Sequence, residues 1–121
     1  MQYSASYGAP SIPSLTITDT VFEDNAAIGG GGVSGGGIAE GGAIVTFNTP
    51  RTLISGVSFI NNVAFTGEGG ANSSGFSGAL GGAFRFFGNL FGATVQIADS
   101  KFIGNTARGG DGLAGDRKSV V

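Results

Sequence analysis

Phe22-Glu23-Asp24-Asn25, Phe59-Ile60-Asn61-Asn62 and Phe102-Ile103-Gly104-Asn105 repeat one pattern, F-x-x-N, with the phenylalanines 37 and 43 residues apart. More columns agree on either side of these tetrads. Ile17, Ile54 and Ile97 each stand five residues before the Phe, and Leu15, Thr52 and Val95 stand two further back. Asp19, Gly56 and Asp99 fall between Ile and Phe, and Ala27, Ala64 and Ala107 follow the Asn. Between the tetrads lie Gly41-Gly42-Ala43-Ile44 and Gly81-Gly82-Ala83-Phe84, 40 residues apart. Apolar positions match apolar positions, and turn formers match turn formers. Self-similarity at such a period is the mark of a repeat architecture.

The local pattern is β. Leu15-Thr16-Ile17-Thr18 and Thr94-Val95-Gln96-Ile97 alternate apolar and polar residues, and β-branched and aromatic residues are dense in both. Phe84-Arg85-Phe86 puts two rings on one face of a pleated strand and the cation on the other. Ile17 and Phe22 are an odd number of residues apart, so a bend at Asp19-Thr20 is required if both face inward. No segment carries apolar residues at helical spacing with caps. Short strands, a period near 40 residues and stacked apolar columns read as an all-β solenoid, a right-handed parallel β-helix of about three coils with glycine-rich loops.

In this reading Ile17, Phe22, Ile54, Phe59, Phe84, Phe86, Ile97 and Phe102 form the core. Asn25, Asn62 and Asn105 sit at corners, where Asn tolerates the left-handed conformation and its amide bonds backbone groups of neighbouring coils. Gly41, Gly42, Gly81 and Gly82 serve a tight corner where a side chain would collide. Residues 1–14 read as an extended lead-in, 15–110 as the β-helix and 111–121 as a flexible C-terminal end. The glycine-rich tracts 29–37, 68–79 and 109–115 read as flexible loops at one edge of the solenoid.

Composition narrows the function classes. Of 121 residues 25 are glycine, against about 7% in an ordinary domain. With only 3 prolines and no glycine at every third place, collagen is excluded. Hydrophobic residues at 40%, with 10 phenylalanines, are too many for a disordered linker. Cys and His are both absent, which removes thiol nucleophiles, disulfides and most zinc sites. The net charge is −2 and the six cations are scattered, so there is no basic patch for nucleic acid. No apolar run reaches the roughly 20 residues of a transmembrane helix. The first residues lack the basic and apolar regions of a signal peptide. The expectation is either a protein not secreted by that route or a piece of a longer protein.

The alternating motifs Phe22/Asn25, Gly41-Gly42-Ala43-Ile44, Phe59/Asn62, Gly81-Gly82-Ala83-Phe84 and Phe102/Asn105 resemble the repeats of the polymorphic membrane protein family of chlamydiae and similar bacterial surface proteins. Phe84 departs from the pattern by standing in an aliphatic place. The resemblance implies a right-handed parallel β-helix passenger domain, exported by an autotransporter route, displayed at the outer membrane or secreted, and used as an adhesin. The implied partner is a protein or glycan of a host-cell surface. The expected function is therefore a structural or adhesive surface module, a fragment of a larger bacterial-type surface or autotransporter passenger protein, not an enzyme, with no cofactor and no metal.

The alternative is a fragment of a carbohydrate-active β-helix, a polysaccharide lyase or hydrolase. Such a site needs clustered carboxylates, often with a basic residue. The acids are Asp19, Glu23, Asp24, Glu40, Glu68, Asp99, Asp111 and Asp116, and Arg51 or Arg85 is the cation to join them. Asp19 and Asp99 hold equivalent positions two coils apart, roughly 10 Å by strand spacing. The expectation is that these acids solvate corners. Gly30-x-Gly32-x-x-Gly35 matches a dinucleotide-binding pattern but has no helix-forming sequence after it. Gly109-Gly110-Asp111-Gly112-Leu113-Ala114 lacks the carboxylate that a calcium β-roll repeat needs at its last place. Threonine ladders for ice binding are not continued past Thr16-Ile17-Thr18, and Asn72-Ser73-Ser74 is a formal glycosylation sequon. Three coils with no visible polar caps are close to the minimum for an independent solenoid and leave strand edges open, so the expectation is that the natural chain is longer or that this one self-associates end to end.

Overall fold

Short alternating segments separated by Asp, Asn and Gly give short strands joined by sharp corners. The computed structural model of the chain describes residues 1–4, 14–32, 37–67, 78–87, 92–110 and 119–120. The first coil comprises β1 (Gln2–Ser4), β2 (Ser14–Thr18), β3 (Val21–Glu23) and β4 (Ala26–Ile28). The second comprises β5 (Ala39–Glu40), β6 (Ile44–Phe47), β7 (Arg51–Ser55), β8 (Ser58–Ile60) and β9 (Val63–Phe65). The third comprises β10 (Ala79–Leu80), β11 (Phe84–Phe87), β12 (Thr94–Ala98), β13 (Lys101–Ile103) and β14 (Thr106–Arg108). A last strand, β15 (Ser119–Val120), follows. There is no helix among the described residues.

The strands pair coil to coil. Five sheets run in the orders β1-β6-β11, β10-β5, β12-β7-β2, β13-β8-β3 and β15-β14-β9-β4. All coil-to-coil pairings are parallel, and β15 alone is antiparallel, on β14. The chain is therefore an all-β solenoid, a short parallel β-helix of about three coils. The stack reaches beyond the range 15–110 at both margins. Gln2–Ser4 is part of the first coil and not a lead-in, because it pairs with Val45–Phe47. Ser119 and Val120 pair with Arg108 and Ala107, so these two residues are not a loose end. The remainder of the expected loops, 33–36, 68–77 and 111–118, lies outside the described residues.

The registers lay like on like. Ile54 lies between Ile17 and Ile97, Phe59 between Phe22 and Phe102, and Ala64 between Ala27 and Ala107. Phe59 stacks on Phe22 at a 5.3 Å centroid distance and on Phe102 at 4.7 Å, with ring planes within 15°. Phe84 leans on Phe59 from across the coil at 6.5 Å. The buried cluster is Ile17, Ala43, Ile44, Ile54, Val57, Phe59 and Ala83, with Leu15, Phe22 and Phe84 against it. Its centre is the second coil, where Ile54 and Phe59 are 0% exposed.

Ile97 and Phe102 differ from the core positions expected for them. They face the same interior column, but β12 and β13 are the outer strands of their sheets among the described residues, and the two side chains are 44% and 49% exposed. Phe86, above Thr46, is half-buried for the same reason. The bend between Ile17 and Phe22 is present as a left-handed residue, Asp19 at φ 47°, and its column mates Gly56 and Asp99 share that conformation at 65° and 48°. At the Gly-Gly corner the two glycines have separate reasons. Gly41 is left-handed at φ 53°. Gly42 faces the interior, where a Cβ would meet the carbonyl oxygen of Gly82 and stand 2.7 Å from the Val63 nitrogen.

These unequal burials set unequal costs. Phe59→Ala leaves a cavity in the closed coil and is expected to cost about 3–5 kcal/mol. Phe102→Ala, where half of the ring is already in water, is expected to cost about half as much. Thermal unfolding of the two variants beside the parent chain checks this. Equal melting temperatures for all three would contradict the stacked core.

Candidate functional surface

Among the described residues the strongest side-chain constellation is the asparagine ladder at the corner after β3, β8 and β13. Asn62 is fully buried. Its Oδ1 accepts from the backbone N–H of Asn25 at 3.1 Å and from Asn25 Nδ2 at 2.8 Å. Its Nδ2 donates to Phe22 O at 2.9 Å and to Asn105 Oδ1 at 2.8 Å. The Asn62 N–H also donates to Asn105 Oδ1, at 3.0 Å, and Asn105 Nδ2 donates to Phe59 O at 2.8 Å. An amide is suited to this because it carries two donors and an acceptor with two lone pairs, and here all are used. The ladder joins one coil to the next. It presents no group for chemistry.

The corner role differs in one respect from the expectation. Asn25, Asn62 and Asn105 stand at the corners, but the left-handed conformation falls on the preceding residue, Asp24 at φ 54°, Asn61 at 51° and Gly104 at 63°. One residue turns the chain and the next ties the coils.

The acids follow the same logic. Asp19, Asp24 and Asp99 are exposed at left-handed corners, and Glu23 is exposed on β3. Glu40 on β5 forms an ion pair with Arg85 on β11. Arg51 is exposed at the start of β7. A shallow depression of about 400 Å³ is lined by Met1, Gln2, Ile38, Glu40, Gly41 and Val45 and so holds one carboxylate. Among the described residues no group of three acids comes together to hold a metal ion. Glu68, Asp111 and Asp116, with the calcium-like motif and the sequon, lie outside the described residues. After the glycine tract at 29–37, Ala39–Glu40 forms β5, where dinucleotide binding would need a helix. No helix among the described residues is long and apolar enough to cross a membrane.

On the outside of the β1-β6-β11 sheet is a feature the motif columns did not single out. Phe47 and Phe87 point outward, both 39% exposed, and stack with centroids 5.0 Å apart and planes within 2°. The Arg85 guanidinium lies over the Phe87 ring, 5.4 Å from its centroid. A second cation, Arg108, lies 5.5 Å from the Phe65 centroid on the outside of β9 and β14. The 40-residue offset of the Gly-Gly-Ala motifs already aligns Phe47 with Phe87, so the pair was readable one turn beyond the motif.

No family model, curated protein or solved structure matches the chain. The resemblance to polymorphic membrane protein repeats thus rests on the motifs themselves.

The ladder makes a sharp prediction. Asn62→Ala takes the amide partner from Phe22 O and from the Asn25 N–H and Nδ2, and leaves Asn105 Oδ1 with the residue-62 N–H alone, at an expected cost of about 3 kcal/mol. Asn25→Ala, at an exposed end of the ladder, is expected to cost about 1 kcal/mol. Urea unfolding midpoints at unchanged slope check the order of the two.

Proposed function

We propose that the chain is a structural and adhesive module of a surface protein, displayed at the cell surface or outer membrane or secreted, which presents a rigid solenoid face to a protein or glycan of a host cell. The single observation that carries this reading is the outward Phe47–Phe87 stack with Arg85 over it. Interfaces are enriched in aromatic residues and arginine, and their energy concentrates in such anchors. A sheet fixed on both sides by corners holds these groups in place before contact, so little ordering entropy is lost on binding. The dispersal of the acids over separate corners supports the same reading. A carbohydrate-active site would need a second carboxylate beside Glu40 and Arg85.

Beads coated with the full chain are expected to bind cultured epithelial cells. The Phe47→Ser/Phe87→Ser double variant is expected to lose about tenfold of that binding. Its melting temperature is expected to fall by a few degrees for the lost ring stack while the fold holds, which circular dichroism checks. Beads that do not bind, or bind equally with the variant, would reject this face as the adhesive one.

A further inference from the structure

Three threonines of the second coil are enclosed at one corner of the solenoid. Thr46 on β6, Thr49 at the corner and Thr52 on β7 are buried, at 0%, 0% and 1% exposure. β6 and β7 are consecutive walls of one coil, joined by Asn48, Thr49 and Pro50. Inward side chains two residues before and two residues after such a corner converge on its inner angle. We propose that this inner angle is a buried hydration site, in which the hydroxyls of Thr46 and Thr52 bind ordered water.

The hydroxyls of Thr46 and Thr52 are fully enclosed and have no hydrogen-bond partner among the described residues. Thr49 Oγ1 donates to Phe47 O at 3.5 Å, the outer limit of such a bond. A hydroxyl taken out of water without a partner is costly, and native interiors meet that cost with a protein group or a water. The side chains in register with Thr52 are Leu15 and Val95, and Phe86 is the third-coil mate of Thr46. None of these three carries a donor or an acceptor. The backbone is committed elsewhere. β6 is paired with β1 and β11, and β7 with β2 and β12, so their N–H and C=O groups run along the stack.

Water meets the need because it donates and accepts at once, and a buried water typically takes about three hydrogen bonds from groups left over in this way. The corner supplies that number. Thr46 and Thr52 bring one hydroxyl each, and Thr49 Oγ1 can accept while it donates to Phe47 O. Thr46 is also a far smaller side chain than its column mate Phe86, which makes the second coil the roomier level of this column. Thr66, whose buried hydroxyl is likewise without a partner among the described residues, follows β9 at a different corner and is not part of this site. Valine has nearly the shape of threonine, and Val95 already stands in the Thr52 column. A dry corner would therefore be more stable with valine, and a hydrated one less.

That difference in sign makes the test. Thermal unfolding of Thr46→Val and Thr52→Val beside the parent chain is expected to show each variant melting a few degrees lower, because the water loses a partner. A high-resolution crystal structure of the parent chain is expected to show water density within hydrogen-bond distance of Thr46 Oγ1 and Thr52 Oγ1. Valine variants that melt at or above the parent's temperature, or a crystal structure in which the corner is dry, would each overturn the proposal.

Discussion

The parallel hydrogen bonds between successive coils set everything else in this chain. They fix which residue lies over which, and a slip by one residue would turn each inward side chain outward. Asn62 enforces the register from inside. Its amide bonds the coil below through Asn25 and Phe22 and the coil above through Asn105. With the asparagines in line, the phenylalanine three residues earlier must fall on its equivalent, and the ring column follows. The order of causes thus runs from ladder to register to core. A core of this size would be slight if its rings were not stacked in this way.

The columns were legible in the sequence because register makes equivalent positions chemically alike. Ile54, Phe59 and Asn62 could be placed from three aligned copies alone. Other features were hidden for identifiable reasons. The left-handed residues Asp24, Asn61 and Gly104 share a backbone tolerance and not an identity, so no column of letters marks them. The exposure of Ile97 and Phe102 comes from their place on the outer strands of the described sheets, which a repeat pattern does not encode. Gln2–Ser4 carries no motif, and its place in the first coil is visible only once it lies beside β6.

Two surfaces with different chemistry result. The corners are acidic and polar, and they solvate the turns. The outer face of β6 and β11 carries stacked rings with a guanidinium, which suits recognition of a partner. The first faces water, and the second supports the adhesive reading.

Residue-resolved hydrogen exchange of the chain, at a concentration where it is monomeric, tests the coil-to-coil ladder most directly. The amides of Gly56, Ser58, Asn61 and Val63, all bonded to a neighbouring coil, should exchange only through global opening. Those of Val21 and Ala26, which point away from the stack, should exchange orders of magnitude faster. Equal protection of Val21 and Ser58, or rapid exchange at Ser58, would contradict the stacked register.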